Sequence, residues 1–310
     1  MIALDEIRAA RERIGDAVLR TPLVRFDERI WLKLESLQPI GSFKLRGALN
    51  AVRSAPPQDV VTASAGNMGQ GVAWAARENG VRARIVAPEN APRAKLDAVE
   101  RFGGEVILVS HEAWWQAMVD RRYEGVEGMF VHPVEDERVM AGNGTIGLEL
   151  CEQLDEFDTV VIPWGGGGLT SGIASAVKQL RPGARVVTAE PETAAPLAAA
   201  LRAGEPVEID FRASFVDGAG GRALLPTMWP RAQELVDEAV AVPIADVEDA
   251  VRLLATRTRV VAEGAGALAL AVALKRDDRC VCIVSGGNID AAVLARILEQ
   301  RGQTPAGSDP

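Results

Sequence analysis

Cysteine is scarce in this chain, with three residues among 310: Cys151, Cys280 and Cys282. That supports neither a disulfide framework nor a thiolate metal site, and it points to a cytoplasmic protein. Cys280 and Cys282 stand two apart in an apolar run and read as small core residues on one face of a strand. No apolar stretch approaches the roughly 18 residues that a transmembrane helix needs. The N-terminus, Met1-Ile2-Ala3-Leu4-Asp5-Glu6, lacks the basic and apolar regions of a secretory signal. Positive charge is short as well: the formal net charge of −9 excludes a general affinity for nucleic acid or anionic membranes. What is present, 48% apolar and 25% charged residues, is ordinary for a globular protein. The length allows one large domain or two ordinary ones.

Strand-like apolar runs alternate with helical stretches. Helices are expected over residues 3–18, 43–52, 68–79, 92–102, 112–123, 136–153, 169–180, 247–258, 264–275 and 290–299. Strands are expected over 31–35, 60–63, 82–86, 105–109, 129–131, 158–162, 184–189 and 280–284. Residues 191–230, rich in Ala, Gly and Pro, show no clear period, and 302–310 reads as a frayed tail. Such alternation argues for an α/β fold of open, mostly parallel twisted sheets flanked by helices. The stretch from about 50 to 140 holds its own strand–helix series with no linker on either side. A small domain of residues 49–141, inserted into a large one of residues 1–48 and 142–310, accounts for that.

Four segments carry chemistry. Lys44 lies in Gly41-Ser42-Phe43-Lys44-Leu45-Arg46-Gly47. A lone lysine is ordinarily a solvated surface residue, but flanking Phe43 and Leu45 favour partial burial. Burial lowers an amine's pKa and makes it a usable nucleophile or base. Ser64-Ala65-Gly66-Asn67-Met68-Gly69-Gln70 is a polar turn between a strand and a helix. It can bind a carboxylate at the helix N-terminus or serve as an ordinary cap. Gly165-Gly166-Gly167-Gly168 follows a strand and precedes a helix, so its backbone N–H groups can converge on an anion. No Gly-Lys-Ser/Thr ending makes it a nucleotide P-loop; a dinucleotide site is the minor alternative, with Glu190 near the acidic position. Ser285-Gly286-Gly287-Asn288 follows a strand, where ligands sit in open α/β sheets. A reactive lysine and an anion cradle together point to a phosphorylated carbonyl cofactor held as an imine, with pyridoxal phosphate the obvious candidate.

With these motifs in this order the chain resembles the fold-type II pyridoxal-phosphate enzymes, most of all the threonine/serine dehydratase (ammonia-lyase) and serine racemase branch. Gly-Ser-Phe-Lys-Leu-Arg-Gly-Ala, Ser-Ala-Gly-Asn-x-x-Gln-Gly, Gly-Gly-Gly-Gly-Leu and Ser-Gly-Gly-Asn carry the resemblance, which runs from about Leu4 to Glu299. Arg20-Thr21-Pro22-Leu23, His132-Pro133, Gly144 to Glu149 and Ala262-Glu263-Gly264-Ala265-Gly266 are similar to that branch too. The resemblance implies two open, mostly parallel sheets of the tryptophan synthase β type. It implies that Lys44 carries the cofactor and moves the Cα proton, that Phe43 packs beside the ring, and that Asn67 bonds the phenolic oxygen. Gly165, Gly166, Gly167, Gly168 and Leu169 would hold the phosphate, and Ser285 would face the ring nitrogen. Ser64, Ala65, Gly66, Asn67 and Met68 would surround the substrate carboxylate.

Departures from the branch's pattern shape the expected activity. Met68 stands where dehydratases usually carry His, so a polar contact near the carboxylate is lost. Ala65 stands where the racemase pattern has a serine, so racemisation is expected to be poor. The cation site of some members is echoed by Ala189-Glu190-Pro191 and Ala194, but its second carboxylate falls on Pro196, and no metal is expected. Arg222 either meets a second substrate carboxylate or is solvated. No added regulatory domain is expected, because the chain leaves no room for one. The expected activity is α,β-elimination of an L-β-hydroxy amino acid, L-threonine or L-serine first, to the 2-oxo acid and ammonia. The alternatives are a dehydratase of the 3-hydroxyaspartate or phenylserine type, a β-replacement enzyme, a serine racemase, or a cofactor-binding scaffold without activity. A small-molecule substrate and a homodimer are expected, with no nucleic-acid or membrane partner.

Overall fold

The computed structural model describes residues 1–299, so the expected frayed tail of 302–310 lies outside the described residues. In chain order the elements are α1 (Leu4–Ile14), β1 (Leu23–Arg25), β2 (Ile30–Leu34), α2 (Lys44–Arg53), β3 (Val60–Ala63), α3 (Asn67–Glu78), β4 (Ala83–Pro88), α4 (Arg93–Arg101), β5 (Gly104–Val109), α5 (His111–Asp120) and β6 (Met129–Phe130). Then follow α6 (Glu137–Gln153), β7 (Thr159–Pro163), α7 (Gly168–Leu180), β8 (Arg185–Pro191), α8 (Pro196–Ala203), α9 (Trp229–Leu235), β9 (Glu238–Val242), α10 (Ile244–Leu253), α11 (Gly264–Ala273), β10 (Cys280–Val284) and α12 (Ala291–Glu299). Among the described residues no helix is long and apolar enough to cross a membrane.

The strands form two open sheets, one in the order β1-β2-β10-β7-β8-β9 and one in the order β5-β4-β3-β6. Neighbours run parallel except β1, which pairs antiparallel with β2 at an edge. The smaller sheet is built from residues 60–130, between β2 and β7 of the larger one. Helices cover both faces of the larger sheet, so β7 and β10 are buried at every position. Their alternating side chains feed two cores. Cys280, Cys282 and Val284 join Val161 and Val187 in one, while Val281 and Ile283 join Val160, Ile162 and Val186 in the other.

The structure adds four elements that periodicity did not reveal. Strand β1 is three residues long and β9 is a half-buried edge strand, so neither carries a strong apolar run. Helix α8 lies in the Ala-, Gly- and Pro-rich stretch, and the seven-residue α9 begins at its end. The helix expected over 247–258 instead starts at Ile244 and ends at Leu253, followed by a π turn over Leu254–Thr258 that Arg259 closes at φ 61°. The glycines of α6 do not break it, because they are contact points. A Cβ at Gly142 would lie 2.5 Å from the Arg46 carbonyl of α2, and one at Gly172 of α7 would lie 2.2 Å from the Met140 carbonyl of α6. Three helices thereby approach closely where Lys44 begins α2.

A buried ion cluster anchors that helix. Arg46 donates from Nε and Nη2 to Glu35, both at 2.8 Å, and from Nη1 to Glu149 at 2.6 Å. Lys33 donates to Glu149 and to the Thr21 carbonyl. Burial opposes ionisation of Glu35, yet the Arg46 guanidinium overrides it and holds that carboxyl below its usual range. Removing one member would strand a buried charge, at a cost of roughly 3–5 kcal/mol.

Candidate active site

Lys44 is the first residue of α2, entered through a turn in which the Phe43 N–H donates to the Ser285 carbonyl at 3.0 Å. Its Nζ donates to the Pro133 carbonyl at 3.0 Å and lies 5.2 Å from the centre of the Phe43 ring. Every other lysine meets a carboxylate: Lys33 with Glu149, Lys95 with Asp217, Lys178 with Asp237 and Lys275 with Asp246. Lys44 alone has no carboxylate among its described hydrogen-bond partners, only a neutral carbonyl. Burial brings its pKa down to about 8, with the nearby Glu263 carboxyl acting against that shift.

The Ser64-Ala65-Gly66 loop joins β3 to α3 and is half-buried, with Asn67 opening the helix. Asn67 donates from Nδ2 to Glu263 Oε1 at 3.0 Å and accepts from Asn288 Nδ2 at 2.7 Å. Those two bonds orient its amide and leave one N–H of Nδ2 available. Glu263 stands at the N-cap position of α11 without a capping side-chain bond, and burial pushes its carboxyl up to about 7. The Met68 side chain is 2% exposed and belongs to the core cluster of Leu45, Val72 and Ile85.

Gly165 to Gly168 link β7 to α7, with Gly167 at φ 96° before the first helical residue, and Leu169 is buried behind them. The run is tight as well as permissive. A Cβ at Gly166 would lie 2.4 Å from Val134 Cγ2, and one at Gly168 would lie 2.9 Å from the Val134 carbonyl. Ser285 is buried at the C-terminal end of β10, beside Lys44 through the Phe43 bond. The structure therefore brings Phe43, Lys44, Asn67 and Ser285 together. The glycine run joins them through the 132–134 segment, whose Pro133 carbonyl takes Lys44 and whose Val134 meets Gly166.

A cavity of about 360 Å³ opens from this region, with Gln70, Lys95, Asp217, Glu263, Asn288 and Asp290 among its lining residues. Lys95 of α4 meets Asp217 across it at 2.6 Å. Arg222 is exposed and stacks over the Phe211 ring at 5.0 Å, so it offers no contact for a second carboxylate in that cavity. Glu190 is buried and accepts the Leu197 and Ala198 amides at the start of α8, at 3.0 and 2.8 Å. Glu263, Asn288 and the Pro133 carbonyl received no role from the sequence reading. The quoted motifs already contained all three, but only their contacts with Asn67 and Lys44 single them out.

The residues fit a phosphorylated aldehyde. An amine of depressed pKa with a displaceable neutral partner suits an imine. A glycine loop with no room for a Cβ at Gly166 or Gly168, ending in a helix N-terminus, suits a phosphate. The fold and this site define a cofactor-dependent α/β enzyme. The model of the pyridoxal-phosphate dependent enzyme family matches residues 14–286, and the chain belongs to that family. It is 37% identical to the L-threonine ammonia-lyase of Thermotoga maritima over 318 residues, covering 97% of this chain and 79% of the relative. It is 35% identical to a serine racemase of Oryza sativa subsp. indica, covering 96% of this chain and 94% of the relative. Among solved structures it is similar to the T.th. threonine deaminase, with a TM-score of 0.84 and 35% identity over 93% of this chain and 99% of that one. The fold is that of the fold-type II enzymes, and pyridoxal phosphate is the cofactor.

One pH dependence follows. If Lys44 is the attachment point, only its unprotonated amine can capture the cofactor. With a pKa of about 8, the capture rate should rise from neutral pH through about 8 and then level off. Stopped-flow absorbance of protein mixed with pyridoxal phosphate measures it. A midpoint near the ordinary lysine value of 10.5 would contradict the burial described for Lys44.

Proposed function

We propose that this enzyme is an ammonia-lyase that converts an L-β-hydroxy amino acid, L-threonine or L-serine first, to the 2-oxo acid and ammonia. The observation that carries the reading is Lys44: an amine whose pKa burial brings down to about 8, with a neutral carbonyl as its described hydrogen-bond partner. Its support from relatives is the threonine ammonia-lyase of T. maritima and the T.th. threonine deaminase.

In this reading the backbone N–H groups of Gly165 to Gly168 and Leu169 would hold the cofactor phosphate, Ser285 would face the ring nitrogen, and Phe43 would pack beside the ring. The remaining N–H of Asn67 Nδ2 would be available to the phenolic oxygen. When bound, the cofactor supplies the sink for the electron pair left at Cα. Ser64, Ala65, Gly66 and Asn67 receive the substrate carboxylate at the start of α3, where unpaired amides and the helix dipole favour an anion. That fixes the Cα–H bond toward Lys44, whose free amine takes the proton. The Cβ–O bond then breaks, and the hydroxyl leaves as water after taking a proton from the ammonium of Lys44. Water returns when the amino group is lost as ammonia.

A division into a unit of 1–48 and 142–310 and an inserted unit of 49–141 belongs to the same proposal. It draws support from the smaller sheet lying within 60–130, although α2 straddles the boundary and packs Leu45 and Leu49 into the core of Val60, Met68 and Val72. A cytoplasmic location, in keeping with three unpaired buried cysteines, and a homodimer are parts of it too.

Incubating the cofactor-loaded protein with L-threonine, L-serine, 3-hydroxyaspartate and phenylserine tests the proposal. L-Threonine or L-serine should release ammonia and the 2-oxo acid in equal amounts. Ammonia from none of the four, or consumption that requires an added thiol, would overturn it in favour of a scaffold or a β-replacement enzyme.

A further inference from the structure

His132 lies outside the chemistry described so far, yet its turn touches both halves of the site. It follows β6 and is 4% exposed. Its Nδ1 accepts the Val134 N–H at 3.1 Å and the Glu135 N–H at 2.8 Å. Pro133, between His132 and Val134, offers the carbonyl that receives Lys44 at 3.0 Å. Val134 in turn is the neighbour that leaves Gly166 and Gly168 no room for a side chain.

We propose that His132 is a positioning residue. Its Nδ1 shapes the 132–135 turn that holds Lys44 on the Pro133 carbonyl and seats Val134 against the glycine loop. An imidazole nitrogen that accepts two N–H groups carries no proton, so the proton of His132 resides on Nε2, which faces Glu135 Oε2 at 3.5 Å. Burial favours the same neutral form, with Glu135, Arg121, Asp136 and Lys44 the charged groups around it. The imidazole thereby does for this turn what an Asn or Asp oxygen does in an Asx turn. The inference rests on the proposed role of Lys44 for its consequence, but its geometry can be read without turnover.

The chain has two histidines, His132 and the exposed His111, so nitrogen-15 NMR resolves them simply. His132 should appear as the neutral Nε2–H tautomer near pH 7. His132→Ala should weaken pyridoxal phosphate binding about tenfold or more. It should also change the rate of Lys44 labelling by a simple aldehyde and borohydride by about threefold or more. His132→Asn, whose oxygen can accept both amides, should return both values to within about threefold of the unmodified protein. An Nδ1–H tautomer or an imidazolium in the unmodified protein overturns the proposal. So does an alanine variant that behaves like the unmodified protein, or an asparagine variant no better than alanine. Should the unmodified protein bind no cofactor, the functional reading fails, while the tautomer and the labelling rates still decide the role of His132.

Discussion

Lys44→Ala should abolish turnover, lowering it by about 10⁴-fold or more, because in the proposed role one side chain is both the covalent attachment point and the base. The loss should not come from unfolding. The Lys44 amine makes one described hydrogen bond, to the Pro133 carbonyl, and its charge is penalised by burial. Removing it should change stability by no more than about 1 kcal/mol. This contrasts with Arg46 two residues on, whose removal would strand Glu35 in the interior and leave Glu149 with Lys33 alone. Turnover and thermal unfolding of the two variants separate a chemical from a structural defect. Borohydride reduction of the loaded protein with peptide mapping should put the label on Lys44. The other lysines are engaged with carboxylates, so a label on Lys33, Lys95, Lys178 or Lys275 would refute the assignment.

The second large effect concerns stereochemistry, where relatives at nearly the same identity include both threonine ammonia-lyases and serine racemases. Racemisation needs one group to remove the Cα proton and another to deliver one from the opposite face. In the proposed mechanism Lys44 serves one face. On the other, the proposed carboxylate loop offers Ala65, a methyl group with no exchangeable proton. The Met68 side chain is withdrawn into the core and offers none either. Pyruvate formation from L-serine should exceed D-serine formation by about 100-fold or more, the scale of a missing acid–base group. Ala65→Ser should raise D-serine output measurably while leaving L-serine turnover in place. Chiral chromatography of the reaction decides: D-serine forming from the unmodified protein at a rate comparable to pyruvate would refute this account of Ala65.

Much of the fold was legible because its signals are local. Strands buried on both faces read as unbroken apolar runs, as in β7 and β10, and glycine punctuates the turns that follow. Edge strands were not legible. Strand β1 borrows its order from β2 and β9 from β8, and neither has the burial that writes a pattern into sequence. The lysine and the glycine run stood out by composition, about 120 residues apart, but their neighbourhood did not. The Asn67 amide is set by Glu263 and Asn288, which lie 196 and 221 positions away. Met68 belongs to the quoted motif, yet its side chain serves the core.

By itself the sequence determined which groups are available: one lysine in a Gly-Ser-Phe-Lys setting, a four-glycine loop, a polar turn before α3 and an alanine in place of a racemase serine. The tertiary structure decided what those groups can do. The pKa of Lys44 depends on how much water its surroundings exclude and on Glu263, and its resting partner is a carbonyl 89 residues distant. Desolvation and hydrogen bonding are set by whatever packs alongside, and across two parallel sheets those neighbours come from remote stretches of chain. Residue identity therefore announces the chemistry, while proximity, which no local pattern encodes, sets its protonation and its aim.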